Sequence, residues 1–320
     1  LAQWSVLGSG NSPPLLISSE QIGLLAHTAV TSGSRGLLFE SHSRLDANHP
    51  DTQYRAATLE LLNLELSLAE PWLAAGDFVT TVEGSNAEAV GVVLRTDRSQ
   101  LLVPMWTASG GQFVCGQSAG NGISFIVPGV PEEYRAFHLR PGGLPPVSRA
   151  VKGNGGTRIT LEEFGLTSLV VLTAEPLWID ELSRSAKRVG RRAAELRRQL
   201  AEARLLAVGR VLAEMPGAAV AQLDSAGSGG GSATDRLNVA RKGLQTCDGY
   251  LASGDYAEAW LEGERAMRPV RLMERELWDA AISRVESPVT TPASVGFWTL
   301  PLHWQLLGRI GASRPGPNRL

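Results

Sequence analysis

Cysteine is scarce in this sequence, and histidine is not spaced to bind metal. The 320-residue chain has 2 cysteines, Cys115 and Cys247, which stand 132 positions apart. A disulfide-rich scaffold is therefore excluded, although a single bridge stays open and the redox compartment is undetermined. The 5 histidines show no zinc-ligand spacing. We expect both cysteines to be packing residues, and we expect neither a metal nor a cofactor.

An excess of positive charge and a long apolar run are also lacking. Lys and Arg number 30 against 32 Asp and Glu, a formal net charge of −2, so nothing indicates nucleic-acid binding. No run approaches the roughly 18 apolar residues that a membrane-spanning helix needs, so we expect no membrane insertion. The chain opens with Leu1 and without a charged-then-apolar signal segment. We therefore expect a fragment or a processed piece of a longer protein.

The first 76 residues have the pattern of an α/β protein. Ser18 and Gln21 have capping-box spacing ahead of a helical apolar pattern, which Gly33 ends. The short apolar run Gly36–Phe39 is typical of a strand buried on both faces.

A second helix is predicted from Asp51 or Thr52 to about Glu70, where Pro71 should close it. Its leucines point all round the helix, which predicts burial by two layers; the length and the cap favour a helix over a strand. The order helix–strand–helix predicts the end of a parallel α/β sheet or barrel over residues 1–76.

Residues 77–175 change to short apolar runs separated by turn residues. About eight such runs with Gly- and Pro-rich punctuation predict an antiparallel β-sandwich. The predicted strands are Ala89–Arg95, Leu101–Trp106, Gln112–Cys115, Ile123–Val127, Tyr134–Leu139, Val147–Val151, Arg158–Leu161 and Ser168–Leu172.

Residues 176–285 are predicted to form a helical hairpin or small bundle. An apolar seam steps by three and four residues from Leu182 to Val211, and nine Arg and Lys lie off it. A basic face could bind a partner, but solvated flanks are the favoured interpretation. A Gly/Ser linker is expected at 217–234, and the last helix should kink at Pro269. Residues 286–320 are expected to be an extended tail.

Two sequence motifs that resemble catalytic sites are rejected on their context. Gly116–Gly120 fits the nucleophile-elbow pattern, but strand-like flanks on both sides favour a hairpin loop. The run Gly227–Gly231 lacks a preceding strand and a following Lys-Ser/Thr, so it predicts no phosphate cradle.

The loop after the predicted strand is the remaining candidate site. In parallel α/β folds, ligand-binding groups lie at the carboxyl ends of strands. Glu40 occupies that position and is followed by His42 and Arg44, which we take as candidate substrate-binding residues. The alternative is that Glu40 pairs with Arg44 or Arg35 and merely orders the loop.

Three passages resemble the end of a (β/α)8-barrel glycoside hydrolase, of a type found in large bacterial proteins. They are Glu20–Ile22 with Thr31–Phe39, Leu61–Leu66, and Glu70–Ala74. The resemblance covers about 175 residues and implies a final strand and helix of the barrel followed by a β-sandwich. The paired catalytic carboxylates of such enzymes would then lie upstream of Leu1, and this chain alone should be inactive.

Two functions follow as hypotheses. In the first, the chain is the C-terminal portion of a carbohydrate-active hydrolase, with the loop residues at the pocket rim. In the second, it is a non-catalytic surface or scaffold protein whose sandwich and helices bind protein partners, which predicts an exposed apolar stripe on the helices. The fold class expected for both is multi-domain α+β, comprising a partial barrel end, an antiparallel β-sandwich and a helical bundle.

Overall fold

A computed structural model of the chain describes residues 18–39, 44–107, 120–152, 156–215, 232–282 and 300–301. Within these ranges the fold is mixed α+β, with five helices and two antiparallel sheets. The helices are α1 (Ser19–Thr31), α2 (Pro50–Ala75), α3 (Pro176–Glu214), α4 (Ala233–Ser253) and α5 (Tyr256–Ile282). The strands are β1 (Asp77–Glu83), β2 (Ala89–Thr96), β3 (Ser99–Trp106), β4 (Gly120–Pro128), β5 (Arg135–His138), β6 (Ser148–Lys152), β7 (Gly156–Phe164) and β8 (Val170–Thr173).

Helix α1 begins and ends where the sequence predicted. The Ser18 hydroxyl accepts a hydrogen bond from the Gln21 backbone N–H at 3.2 Å, which satisfies one of the free donors at the helix start. After the C-cap Ser32, Gly33 takes the left-handed conformation, with φ +100°. The apolar side of the helix, with Ile22 and Ala26, packs on Leu62 of α2.

The sequence predicted that α2 would end at Pro71, but the helix is longer. It continues through this proline to Ala75. Tertiary packing explains the continuation: Trp72 is fully buried, and its ring lies 5.9 Å from that of Trp178 at the start of α3. Burial of a tryptophan outweighs the backbone hydrogen bond that a proline inside a helix forfeits.

The segment Gly36–Phe39 is irregular, so the described part of the chain does not form the predicted strand. A parallel strand needs a neighbour with which to exchange hydrogen bonds, and no described residue pairs with this segment. Both sheets are antiparallel, and no closed barrel is formed by the described part of the chain. The expected barrel end at 1–76 is therefore not confirmed.

The two sheets form a β-sandwich. The five-stranded sheet has the order β1-β2-β3-β8-β5, and the three-stranded sheet has the order β4-β7-β6. Their facing surfaces enclose a core built around Val93, Leu102, Phe125, Ile159 and Val170. The alternation of buried and exposed residues along β7 shows that the smaller sheet has one free face.

The larger sheet is covered on its other face by helices. Leu101, Val103 and Val171 pack there with Trp72 of α2 and Leu182 of α3. Because both faces are covered, all eight residues of β3 are buried. The protein thus has three layers: helices, the five-stranded sheet and the three-stranded sheet.

Seven of the predicted strands match observed ones within a few residues. The predicted strand Gln112–Cys115 lies outside the described residues, as does the rejected motif Gly116–Gly120, apart from the backbone of Gly120. Strand β1 was not predicted, because all seven of its residues are exposed or half-buried and its apolar pattern is weak. It forms an edge of the larger sheet.

Helices α3, α4 and α5 form the predicted bundle. A capping box of Ser232 and Asp235 starts α4, and Gly254 ends it with φ +80°. Helix α5 then returns antiparallel to α4, and Pro269 lies inside it. Most of the 217–234 linker and nearly all of the 286–320 tail lie outside the described residues.

One close approach fixes the bundle on the sandwich. Gly142, in the turn after β5, has φ +88°, and its N–H donates to the Ala186 carbonyl of α3 at 2.8 Å. A Cβ at Gly142 would lie 2.7 Å from the Ala257 Cα, and a Cβ at Gly190 would lie 2.7 Å from the Gly142 Cα. Glycine is required at these positions because three backbones meet there.

Candidate functional site

The residues predicted from the sequence do not assemble a site among the described residues. Glu40 and His42 lie outside them, together with the rest of 40–43. Arg44 is exposed and pairs with Asp46 at 2.6 Å. Arg35, one of the two alternative partners of Glu40, donates to the carbonyls of Leu73 at 2.5 Å and Gly76 at 3.1 Å.

A polar cleft with a cavity volume of about 100 Å³ lies between the helices and the larger sheet. One wall comes from α1 and α2, another from the turn after β5 and the loop between β7 and β8, and the third from α3 and α5. Its charged and aromatic lining residues are Glu20, His27, Glu65, His138, Arg140, Arg197, Trp260, Glu264 and Arg271. We call this the interlayer cleft.

Arg197 of α3 bridges two carboxylates in the interlayer cleft. Its guanidinium lies 2.8 Å from Glu65 of α2 and 2.5 Å from Glu264 of α5. It also lies 5.2 Å from the ring centroid of Trp260. Burial raises the pKa of Glu65 above its usual value, against the opposing effect of Arg197. Three helices are thereby joined at one guanidinium.

A second ionic cluster lies deeper, where α1 meets α3 and α5. Arg204 forms a two-pronged pair with Glu274, at 2.7 Å and 2.5 Å, and lies 3.7 Å from Glu20. Arg271 is 3.9 Å from the other oxygen of Glu20. Burial alone would raise the pKa of Glu20, but Arg204 and Arg271 lower it to about 2. Glu20 is therefore ionised throughout the neutral range.

Several guanidinium nitrogens at the interlayer cleft have no hydrogen-bond acceptor among the described residues. They are Nε and Nη2 of Arg271, Nε of Arg197 and Nε of Arg140. Arg271 is only 2% exposed. A buried donor without a partner carries a desolvation cost. These nitrogens are therefore hydrogen-bond donors that the described residues leave unused.

Two histidines face the cleft in neutral form. Burial lowers the pKa of His138 to about 4, with a further contribution from Arg140. Burial also lowers the pKa of His27, whose Nδ1 lies 2.8 Å from the Gly23 carbonyl. At neutral pH the cleft thus offers guanidinium donors, carboxylates and uncharged imidazoles.

The cleft continues outward into a second depression with a cavity volume of about 300 Å³. The two share His138, Arg140, Trp260 and Glu264 in their linings. The outer part holds Glu163, which accepts hydrogen bonds from Arg265 and Arg268 on α5. The outer part therefore forms a polar entrance to the interlayer cleft.

The sequence did not reveal these buried charges. Arg197 and Arg204 were assigned to a solvated flank of α3, but the Arg204 side chain is 4% exposed and that of Arg197 is 16% exposed. The available signal was the placement of charges among apolar residues of other helices: Glu65 in a leucine-rich stretch, and Arg271 beside Val270. This pattern identifies buried charges without indicating their partners.

The two cysteines are placed differently. Cys247 is buried, and burial raises the pKa of its thiol to about 11, in agreement with a packing role. Cys115 lies outside the described residues. No group of three or more His, Cys, Asp and Glu suited to a metal ion occurs in the described part of the chain.

Comparison with known proteins gives no relative: neither a family model nor a curated protein matches the chain. None of the helices within the described ranges has an apolar stretch long enough to cross a membrane.

Proposed function

We propose that this chain is the C-terminal portion of a carbohydrate-active glycoside hydrolase, whose catalytic carboxylates lie upstream of it. The observation that carries the proposal is the way in which residues 36–39 lie beside α1 and α2. Leu37 and Phe39 pack against the cluster of Ile22, Ala26 and Leu62, whereas Leu38 is 83% exposed.

This alternation is the one that a barrel strand requires. In a (β/α)8 barrel, alternate strand residues face the outer helices and the remaining ones fill the interior. Leu37 and Phe39 meet helices on one side of the segment, and an exposed leucine between them suits a lumen whose other strands are upstream. Arg35 holds the start of the segment against the end of α2 through two carbonyls.

In this proposal Glu40, His42 and Arg44 lie at the rim of the sugar pocket, in the loop that follows the last strand. Their role is substrate binding. The acid and the nucleophile or base are carboxylates on earlier strands, because glycoside hydrolysis needs a pair flanking the glycosidic bond. The chain itself supplies the closing strand, its two helices and the sandwich that supports them.

The scaffold alternative has less support. It predicts an exposed apolar stripe on the helices, but the large exposed apolar side chains of the described helices lie singly. They are Leu25, Leu177, Leu206 and Val239. Isolated exposed apolar residues are normal on a soluble protein surface and indicate no partner.

The test is activity of the longer product of the encoding gene on a panel of aryl glycosides. We expect turnover by the longer protein and none by the 320-residue chain. Replacement of each upstream carboxylate at a strand end by alanine should identify two that abolish turnover, with an exposed surface glutamate such as Glu181→Ala as the control. Absence of turnover over the whole panel would overturn the proposal.

A further inference from the structure

We propose that the interlayer cleft binds a small molecule through a carboxylate or phosphate group, with Arg271 as the central anion-binding residue. This proposal does not depend on the proposed function. It rests on three features of the cleft: hydrogen-bond donors without an acceptor among the described residues, carboxylates that already pair with other groups, and access to solvent.

Arg271 supplies two of the unused hydrogen-bond donors of the cleft. Arg271 is 2% exposed, lines the cleft and has no acceptor for Nε and Nη2 among the described residues. Its remaining terminal nitrogen, Nη1, lies 3.9 Å from Glu20, beyond hydrogen-bond range. Arginine keeps its charge in a protein interior, so the residue cannot relieve this situation by losing a proton. An oxyanion matches the planar fork of donors that it presents.

Two further arginines add donors from other walls. Nε of Arg197 and Nε of Arg140 are buried and have no acceptor among the described residues. The ion pair of Arg140 is long, with 3.5 Å between its Nη2 and a carboxylate oxygen of Glu258. Guanidiniums from α3, α5 and the turn after β5 therefore line one space. Such convergence from separate elements is typical of a built anion site.

The carboxylates of the cleft do not satisfy these nitrogens. Glu65 and Glu264 are both engaged with Arg197, and Glu20 is shared between Arg204 and the Ser19 hydroxyl, which donates to it at 3.0 Å. A ligand must therefore bring its own acceptor. The same carboxylates repel a second negative group, so the cleft favours a ligand with one compact anionic end.

The route in is the outer depression, where Arg265 and Arg268 lie around Glu163. The anionic end would reach the inner arginines, and the neutral remainder of the ligand would lie along Trp260 and His138. The enclosed space of about 100 Å³ accommodates a compact anionic group such as a carboxylate or a phosphate.

The experiment is titration of the 320-residue chain with inorganic phosphate and, separately, with acetate. Calorimetry and thermal unfolding are read against sodium chloride of equal ionic strength. We expect saturable binding of at least one anion. Arg271→Met should weaken it by about 10- to 100-fold, since hydrogen bonds to a charged group are lost. Arg241→Met removes an exposed guanidinium on α4 and should leave binding unchanged.

Arg140→Met serves as a second variant in case Arg271→Met does not fold, because the Arg140 side chain is more exposed and belongs to a different wall of the cleft. It should weaken binding by about tenfold. Saturation by phosphate alone identifies a phosphate site, and saturation by acetate alone identifies a carboxylate site. A response that follows ionic strength only, or binding that both arginine variants retain, would overturn the proposal.

Discussion

Removal of the Arg204 guanidinium is expected to cost much more stability than removal of a similar pair at the surface. Arg204 binds Glu274 through two short contacts of 2.7 Å and 2.5 Å, and both side chains are nearly inaccessible, at 4% and 2% exposed. Arg204→Met leaves Glu274 buried with Arg271 as its remaining nearby cation. Loss of one partner of a buried pair typically costs about 3–5 kcal/mol, and we expect a loss in this range from urea denaturation at neutral pH.

The matched control is Arg192→Met. Arg192 also makes a two-pronged pair, with both contacts to Glu60 at 2.6 Å, but its side chain is 52% exposed. Exposed pairs contribute about 0–1 kcal/mol. The double variant Arg204→Met/Glu274→Leu should recover much of the loss, because no uncompensated carboxylate remains at that position. If Arg204→Met costs no more than Arg192→Met, the buried cluster does not stabilise the fold as described.

Three further predictions concern the cleft and its supports. Because the pKa of Glu20 is lowered from 4.5 to about 2, its stabilising effect is complete above pH 4.5 and is lost as the pH falls towards 2. Glu20→Gln should therefore remove about 3 kcal/mol of acid-dependent stability. If the acid-unfolding curve of the variant runs parallel to that of the unchanged protein, this prediction is refuted. Since the pKa of His138 is lowered to about 4, the stabilising effect of the neutral ring is complete above pH 6.5 and falls towards pH 4. The NMR signals of the His138 ring should titrate near pH 4. Titration near pH 6.5 would refute the burial of this side chain. Gly142→Ala should destabilise the protein by at least about 2 kcal/mol more than Gly33→Ala. Both glycines have positive φ, but of the two only Gly142 has backbone within 3 Å of the new Cβ. Equal losses of stability in thermal unfolding would show that the close approach is not formed.

Much of the fold could be predicted from local pattern. Ser18 as a cap, Gly33 as a stop, and the apolar seam of α3 each act within one or two turns of chain, so their signals are present in the sequence itself. The turn residues of the sandwich act in the same way. These signals predicted α1 with both of its ends, and the predicted seam from Leu182 to Val211 lies inside the longer observed α3.

The failures share one physical cause, which is that distant packing decided the outcome. Pro71 carries a strong local stop signal, but burial of Trp72 against Trp178 extends α2 beyond it. The candidate site was missed for the same reason. Arg197 and Arg204 look like ordinary surface arginines of α3, and their partners Glu65, Glu264 and Glu274 lie on other helices.

The central proposal is that residues 36–39 become the closing strand of a barrel in a longer protein, and Leu38 tests it most directly. Leu38→Asp and the control Leu177→Asp would be made both in this chain and in the longer protein that the proposal requires; both leucines are 83% exposed in the structure. The account predicts that in the longer protein Leu38→Asp lowers the free energy of unfolding by at least about 3 kcal/mol, because a carboxylate is buried in the barrel interior. In this chain alone both changes should stay within about 0.5 kcal/mol. If Leu38→Asp is as neutral as Leu177→Asp in the longer protein, the claim is contradicted.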